Sequence, residues 1–97
     1  MTAYMIAEMD VTDPAAYERY KQAASDVIAR YGGRYVVRGG EAAALEGPAP
    51  KRVVVVEFDS IEAAQRWYHS ADYREASKLR DGAAVGRLFV VEALAAR

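Results

Sequence analysis

His69 is the only imidazole in the chain, and it directly follows Trp67 and Tyr68. An imidazole titrates near neutrality, so one beside aromatic rings at a pocket edge can take or give a proton. With Tyr68 as a second polar tip and Glu57 as a carboxylate, the candidate catalytic residues are His69, Tyr68 and Glu57. Arg38, Glu57 and Tyr68 are the candidate ligand anchors, because a charge among apolar strand neighbours is costly unless paired or employed. Each has a plainer reading. Tyr68 belongs to an apolar helical stripe, so His69 turns about 100° away from it, and an exposed helix-end histidine is the favoured reading. Trp67 and Tyr68 read as core before they read as a cofactor platform. Glu8 and Glu92 share the parity of Glu57 and Arg38, but an antiparallel order 4-1-3-2 puts Glu8 and Arg38 toward one end and Glu57 and Glu92 toward the other. A cross-subunit salt bridge or a solvated rim is the favoured explanation over acid–base chemistry.

Much chemistry is excluded outright. With no cysteine there are no disulfides, thiolate nucleophiles or Cys-based metal sites, and one histidine cannot build a multi-His zinc centre. Gly32-Gly33 and Gly39-Gly40 match neither the P-loop nor the dinucleotide fingerprint and open no helix, so they read as a helix terminator and a turn. The expectation is therefore no metal and no tightly bound cofactor, flavin or nicotinamide, with a carboxylate site for Mg²⁺ or Ca²⁺ as the loophole. Thirteen basic and fourteen acidic residues leave a net charge of −1, so nothing global favours nucleic acid or an anionic membrane. The strand KRVVVVEF lacks the aromatic pair of an RNA-recognition motif. The N-terminal MTAYMIAEMD does not look like a signal peptide, and no run reaches membrane-spanning length. A cytoplasmic location is expected, consistent with the absence of cysteine.

The elements that must position these residues follow from periodicity. The 97 residues suit one domain, residues 1–97. Residues 3–10 read as a strand. Asp13-Pro14 opens a helix whose stripe is Tyr17, Tyr20, Ala24, Val27, Ile28 and Tyr31, and Gly32-Gly33 closes it. Residues 34–39 and 52–58 are β-branched strands flanking a Gly- and Pro-punctuated loop, 40–51, longer than a hairpin needs. Ser60 caps a helix through Ile61, Ala64, Trp67 and Tyr68. A break near Ser70 leads to a short helix over 71–80, then a strand over 86–94 and an Ala-Ala-Arg tail. The order β-α-β-β-α-β is the ferredoxin-like pattern, an α+β fold with a four-stranded antiparallel sheet.

Alternation sorts the strand residues into two faces. Met5, Ala7, Met9, Tyr35, Val37, Val54, Val56, Phe58, Phe89 and Val91 are expected under the helices. The other face carries Ile6, Val36, Val53, Val55, Leu88 and Val90 with Tyr4, Arg38, Glu8, Glu57, Glu92 and Leu94. Two helices cover one face only. Fully burying the apolar residues of the second is worth at most about 10–20 kcal/mol, comparable to the ~5–15 kcal/mol stability of a whole domain. That implies a homodimer joined through Ile6, Val53, Val55, Leu88 and Val90.

The segments GGRYVVRGG (32–40), LEG (45–47), RVVVVEF (52–58), SIEAAQRWYHS (60–70) and DYREASKLR (72–80) occur in an order that resembles the domain-of-unknown-function family 1330 (DUF1330). The resemblance spans nearly the whole chain. It implies a dimeric α/β barrel, two ferredoxin-like sheets packed face to face. That superfamily also holds cofactor-free antibiotic-biosynthesis monooxygenases, muconolactone-isomerase-like enzymes and structural members, and the family itself has no established reaction. One departure is Val-Glu-Ala in the last strand where the family tends toward Val-Glu-Gly. Two readings stay open: a cofactor-independent small-molecule enzyme or binder with its site in the barrel, or a non-catalytic dimerisation module with a packed interior. A cavity of roughly 300 Å³ or more would favour the first.

Overall fold

Asp13 accepts a hydrogen bond from the Ala16 N–H at 3.2 Å, and Pro14 takes the first helical position, so α1 (Pro14–Arg30) begins where the chain leaves β1 (Ala3–Val11). Its stripe of Tyr17, Tyr20, Ala24, Val27 and Ile28 is buried. The helix ends through Gly32, whose φ of +82° is a left-handed value, and the Gly33 N–H donates back to Ile28 O at 2.9 Å. These features come from a computed structural model describing residues 1–95. The last two residues of the expected Ala-Ala-Arg tail lie outside the described residues.

The remaining elements are β2 (Arg34–Arg38), β3 (Arg52–Phe58), α2 (Ile61–Tyr68), α3 (Ala71–Ser77), a 3₁₀ turn at Lys78–Arg80, and β4 (Ala84–Glu92). Ser60 caps α2 through Ala63 N, and Ser70 caps α3 through Tyr73 N, each at 3.0 Å. The second cap explains why the helical segment breaks: Ser70 takes extended dihedrals and restarts the helix in a new direction. The four strands form one antiparallel sheet in the order β2-β3-β1-β4, with the helices on one side. The fold is ferredoxin-like, with the second helix divided in two.

The pairing corrects the expected face assignments in two strands. In β4, Val90 lies opposite Met5 and Leu88 opposite Ala7, so both pack under the helices. Phe89 and Val91, opposite Ile6 and Tyr4, emerge on the open face at 40% and 47% exposure. The physical reason is Arg87. It shares the parity of Phe89 and Val91 and must stay wet, and there it pairs with Glu8 at 2.8 Å. Glu92, opposite Ala3, follows the parity of Leu88 and leaves the open face. In β2 a bulge lies between Tyr35 and Val37. It lets Tyr35 pair with Val56, yet sets Val37 opposite Val55 and Arg38 opposite Val54. A bulge adds one residue to one strand and so reverses parity beyond it. Val37 thereby joins the open face, and Arg38 goes to the helix side.

The core is an aromatic run across the helix layer. The Trp67 ring lies 5.5 Å from Phe58 and 4.4 Å from Tyr73. The Tyr20 and Tyr73 hydroxyls hydrogen-bond at 2.8 Å, which satisfies both buried polar tips.

Candidate functional site

Between the sheet and the helices the packing leaves two hollows that share Met5, Trp67 and Leu88 as a common wall. The larger, about 160 Å³, opens at the edge between α2 and β4. Its lining is apolar except where Gln65, Tyr68 and His69 meet at the mouth. The smaller, about 30 Å³, lies toward α1, β2 and β3 and is bordered by Tyr17, Lys21, Tyr35, Arg38 and Arg52. On β1 the small Ala7 makes room for the smaller hollow, where a larger residue would fill the layer. Trp67 lines both hollows and is only 2% exposed, yet its indole N–H has no hydrogen-bond partner. A buried unpaired donor costs about 1–3 kcal/mol, so this is the kind of group a bound acceptor would relieve.

The sequence-derived candidates are divided among three places. Tyr68 and His69 stay together at the mouth of the larger hollow, their rings edge to face at 5.1 Å, with Tyr68 44% exposed and His69 capping the C-terminus of α2. The 100° turn expected between them brings His69 to the rim, not to the interior. Arg38 borders the smaller hollow, its guanidinium 4.2 Å from the Tyr35 ring centroid and donating to Ser25 Oγ. Glu57 is on the opposite face of the sheet, held by Arg34 at 2.9 Å. That bond keeps the Arg34 guanidinium protonated above its ordinary range, with Asp59 adding to it. Glu57 therefore does not share a site with Arg38, Tyr68 or His69. The two open-face glutamates, Glu8 and Glu57, already have partners within the chain.

Burial raises the Tyr20 hydroxyl far above its ordinary value, with Tyr73 adding to the effect, and burial likewise raises Tyr73. Neither is a base at neutral pH. Among the described residues no group of three His, Asp or Glu side chains is placed to hold a metal ion, and no helix is long and apolar enough to cross a membrane.

Sequence reasoning missed Gln65 and Arg52 as lining residues, and weighed Trp67 between core and platform. Arg52 was findable, because it alternates with Val54, Val56 and Phe58 and so had to face the helices. For Trp67 no sequence signal distinguishes a ring that only fills the core from one that also walls a hollow.

The fold is shared with solved structures. A protein of unknown function from Rhodopseudomonas palustris, RPA0582, superposes with a TM-score of 0.78 at 26% identity, over 98% of this chain and 84% of that one. SnoaB, a cofactor-independent oxygenase from Streptomyces nogalater, superposes at 0.70 with 12% identity, covering 98% and 95%. A dimeric protein of unknown function with a ferredoxin-like fold from Bacteroides fragilis gives 0.64 at 15% identity, covering 94% and 95%. No curated protein matches the sequence. Residues 2–94 match one family model, that of a domain of unknown function, DUF1330.

Proposed function

The chain belongs to the DUF1330 family, and from that premise we propose that it is a homodimeric, cofactor-independent α/β barrel that binds a small molecule between sheet and helices. The observation that carries the binding reading is the hollow of about 160 Å³ walled by Trp67 with its unpaired indole N–H. An apolar cavity near 150 Å³ accepts a guest the size of benzene, so the fitting ligand is a single ring bearing one acceptor. His69 and Tyr68 at the mouth are the groups available for proton transfer, which leaves room for catalysis on the bound ring. SnoaB, described as a cofactor-independent oxygenase, lends the reading a precedent of fold alone.

The dimer reading rests on the open face. Ile6, Val53, Val55, Val37, Phe89 and Val91 form its apolar field, while Glu8–Arg87 and Glu57–Arg34 stand on it as ready-made ion pairs. A two-fold axis lets this surface cover itself, and the dimeric Bacteroides fragilis neighbour supports the arrangement. The 40–51 loop joins β2 to β3 with Leu45 96% exposed, and in this reading it would reach over the second copy.

One observation favours the non-catalytic alternative. The hollow falls short of the ~300 Å³ typical of a ligand pocket, as a mostly packed interior would. Titration of phenol and toluene decides between the readings, because Trp67 is the only tryptophan and reports on its own pocket. Saturable change in its emission with phenol, lost when Leu88→Phe fills the shared wall, is the expected result. No saturable change with either compound favours the packed module.

A further inference from the structure

The smaller hollow has a feature that an apolar pocket does not need. Arg52 faces the helix layer opposite Met9, and the β2 bulge delivers Arg38 to the same side opposite Val54. The two arginines are diagonal cross-strand neighbours, a spacing of about 7–8 Å that long side chains readily bridge. Lys21, one turn beyond Tyr17 on α1, borders the same hollow. Three cations thus surround a space otherwise walled by Met5, Ala7, Val54 and Leu88.

Their compensation is uneven. Lys21 pairs with Glu18 on its own helix at 3.1 Å. Among the described residues neither Arg38 nor Arg52 has a carboxylate within ion-pairing distance. Each is held by an aromatic ring instead, Arg38 at 4.2 Å from Tyr35 and Arg52 at 5.5 Å from Tyr17. Arg38 is further tied to Ser25, and the Arg52 guanidinium is pressed against Gly39, whose φ of +73° and missing Cβ leave it room. Arg52 Nε is buried without a hydrogen-bond partner. Two guanidinium groups fixed in place, with donors unspent and no counter-charge, are built to meet an anion.

We propose that Arg38 and Arg52 bind the carboxylate of a ligand whose apolar, ring-sized body lies in the larger hollow against Trp67. This rests on the small-molecule reading above and names the ligand class. Met5, Trp67 and Leu88 border both hollows, so the two spaces lie side by side, and a shift of the Met5 or Leu88 side chain lets head and body belong to one molecule. The head space of about 30 Å³ suits a planar two-oxygen group, and its arginines offer a carboxylate the paired N–H donors that match it. Glu57 has no part in this site, and His69 at the far mouth sits near the opposite end of the ligand.

The test compares 3-phenylpropionate with its neutral counterpart 3-phenylpropan-1-ol, following Trp67 emission in wild type, Arg38→Gln and Arg52→Gln, with thermal midpoints to confirm folding. Wild type is expected to bind the acid about tenfold or more tighter than the alcohol. Either variant should lose that preference, its affinity for the acid falling much further than its affinity for the alcohol. In wild type alone, the acid's affinity should fall with added salt and the alcohol's should not, so the outcome does not depend on the variants folding. Equal binding of acid and alcohol overturns the carboxylate assignment and leaves the ring-binding hollow standing. Binding of neither overturns both.

Discussion

The two faces of the sheet are built from similar strand residues but solve opposite problems. Under the helices, Met5, Ala7, Met9, Val56 and Phe58 are nearly inaccessible, and the polar atoms that intrude are mostly tied off locally, as in the Tyr20–Tyr73 pair. On the open face Ile6, Val53 and Val55 are half-buried by their neighbours alone, and Phe89 and Val91 are exposed beside two ion pairs. A covered face can tolerate hollows and unpaired donors because the surrounding layer holds them in place. A soluble monomer rarely leaves an apolar face of this extent uncovered. The difference is that the helix side holds hollows and unpaired donors while the other side holds an open apolar field, although part of the sequence pattern pointed the charged candidates to one shared face.

The comparison breaks most severely at Trp67. Replacing it with alanine removes the ring that contacts Phe58 and Tyr73 and borders both hollows, and should cost about 3–5 kcal/mol in denaturant unfolding. A loss under about 1 kcal/mol would mean that the helix layer is not the packed core described above.

A smaller effect sharpens the contrast between the faces. Tyr20 and Tyr73 are held protonated by burial, whereas in the unfolded chain tyrosine ionises near pH 10. Their contribution to stability is fully present below that pH. Above it the unfolded state releases protons that the folded state keeps, so stability falls by up to about 1.4 kcal/mol per pH unit for each tyrosine. Thermal midpoints measured from pH 8 to 11 should decline above 10, and Tyr20→Phe should flatten the decline. An unchanged slope in that variant would place the alkaline sensitivity elsewhere.

Most of the architecture was legible because local signals agreed with the tertiary outcome. Asp13-Pro14, Gly32-Gly33, Ser60 and Ser70 mark helix ends by side-chain and backbone chemistry that acts within a few residues. The face assignments in β2 and β4 failed for different reasons. In β4 the sort took Phe89 and Val91 without Arg87, which shares their parity and should have decided the face. In β2 nothing in Tyr35-Val36-Val37 announces a bulge, since its placement depends on pairing with β3. The candidate site was legible only in part for the same reason. His69 and Tyr68 are sequence neighbours and stayed together, whereas Arg38 and Glu57 were joined by parity across strands and were separated by one extra residue.

The central claim is that the open face is covered by a second copy of this chain. Static light scattering at micromolar concentration tests it most directly, with Val55→Asp as the control that sets a charge opposite Ile6 in the middle of that face. Wild type is expected at about twice the 10.6 kDa of one chain, and Val55→Asp is expected to fall to the single-chain mass or to lose its fold. A folded wild-type protein scattering at 10.6 kDa would contradict the account.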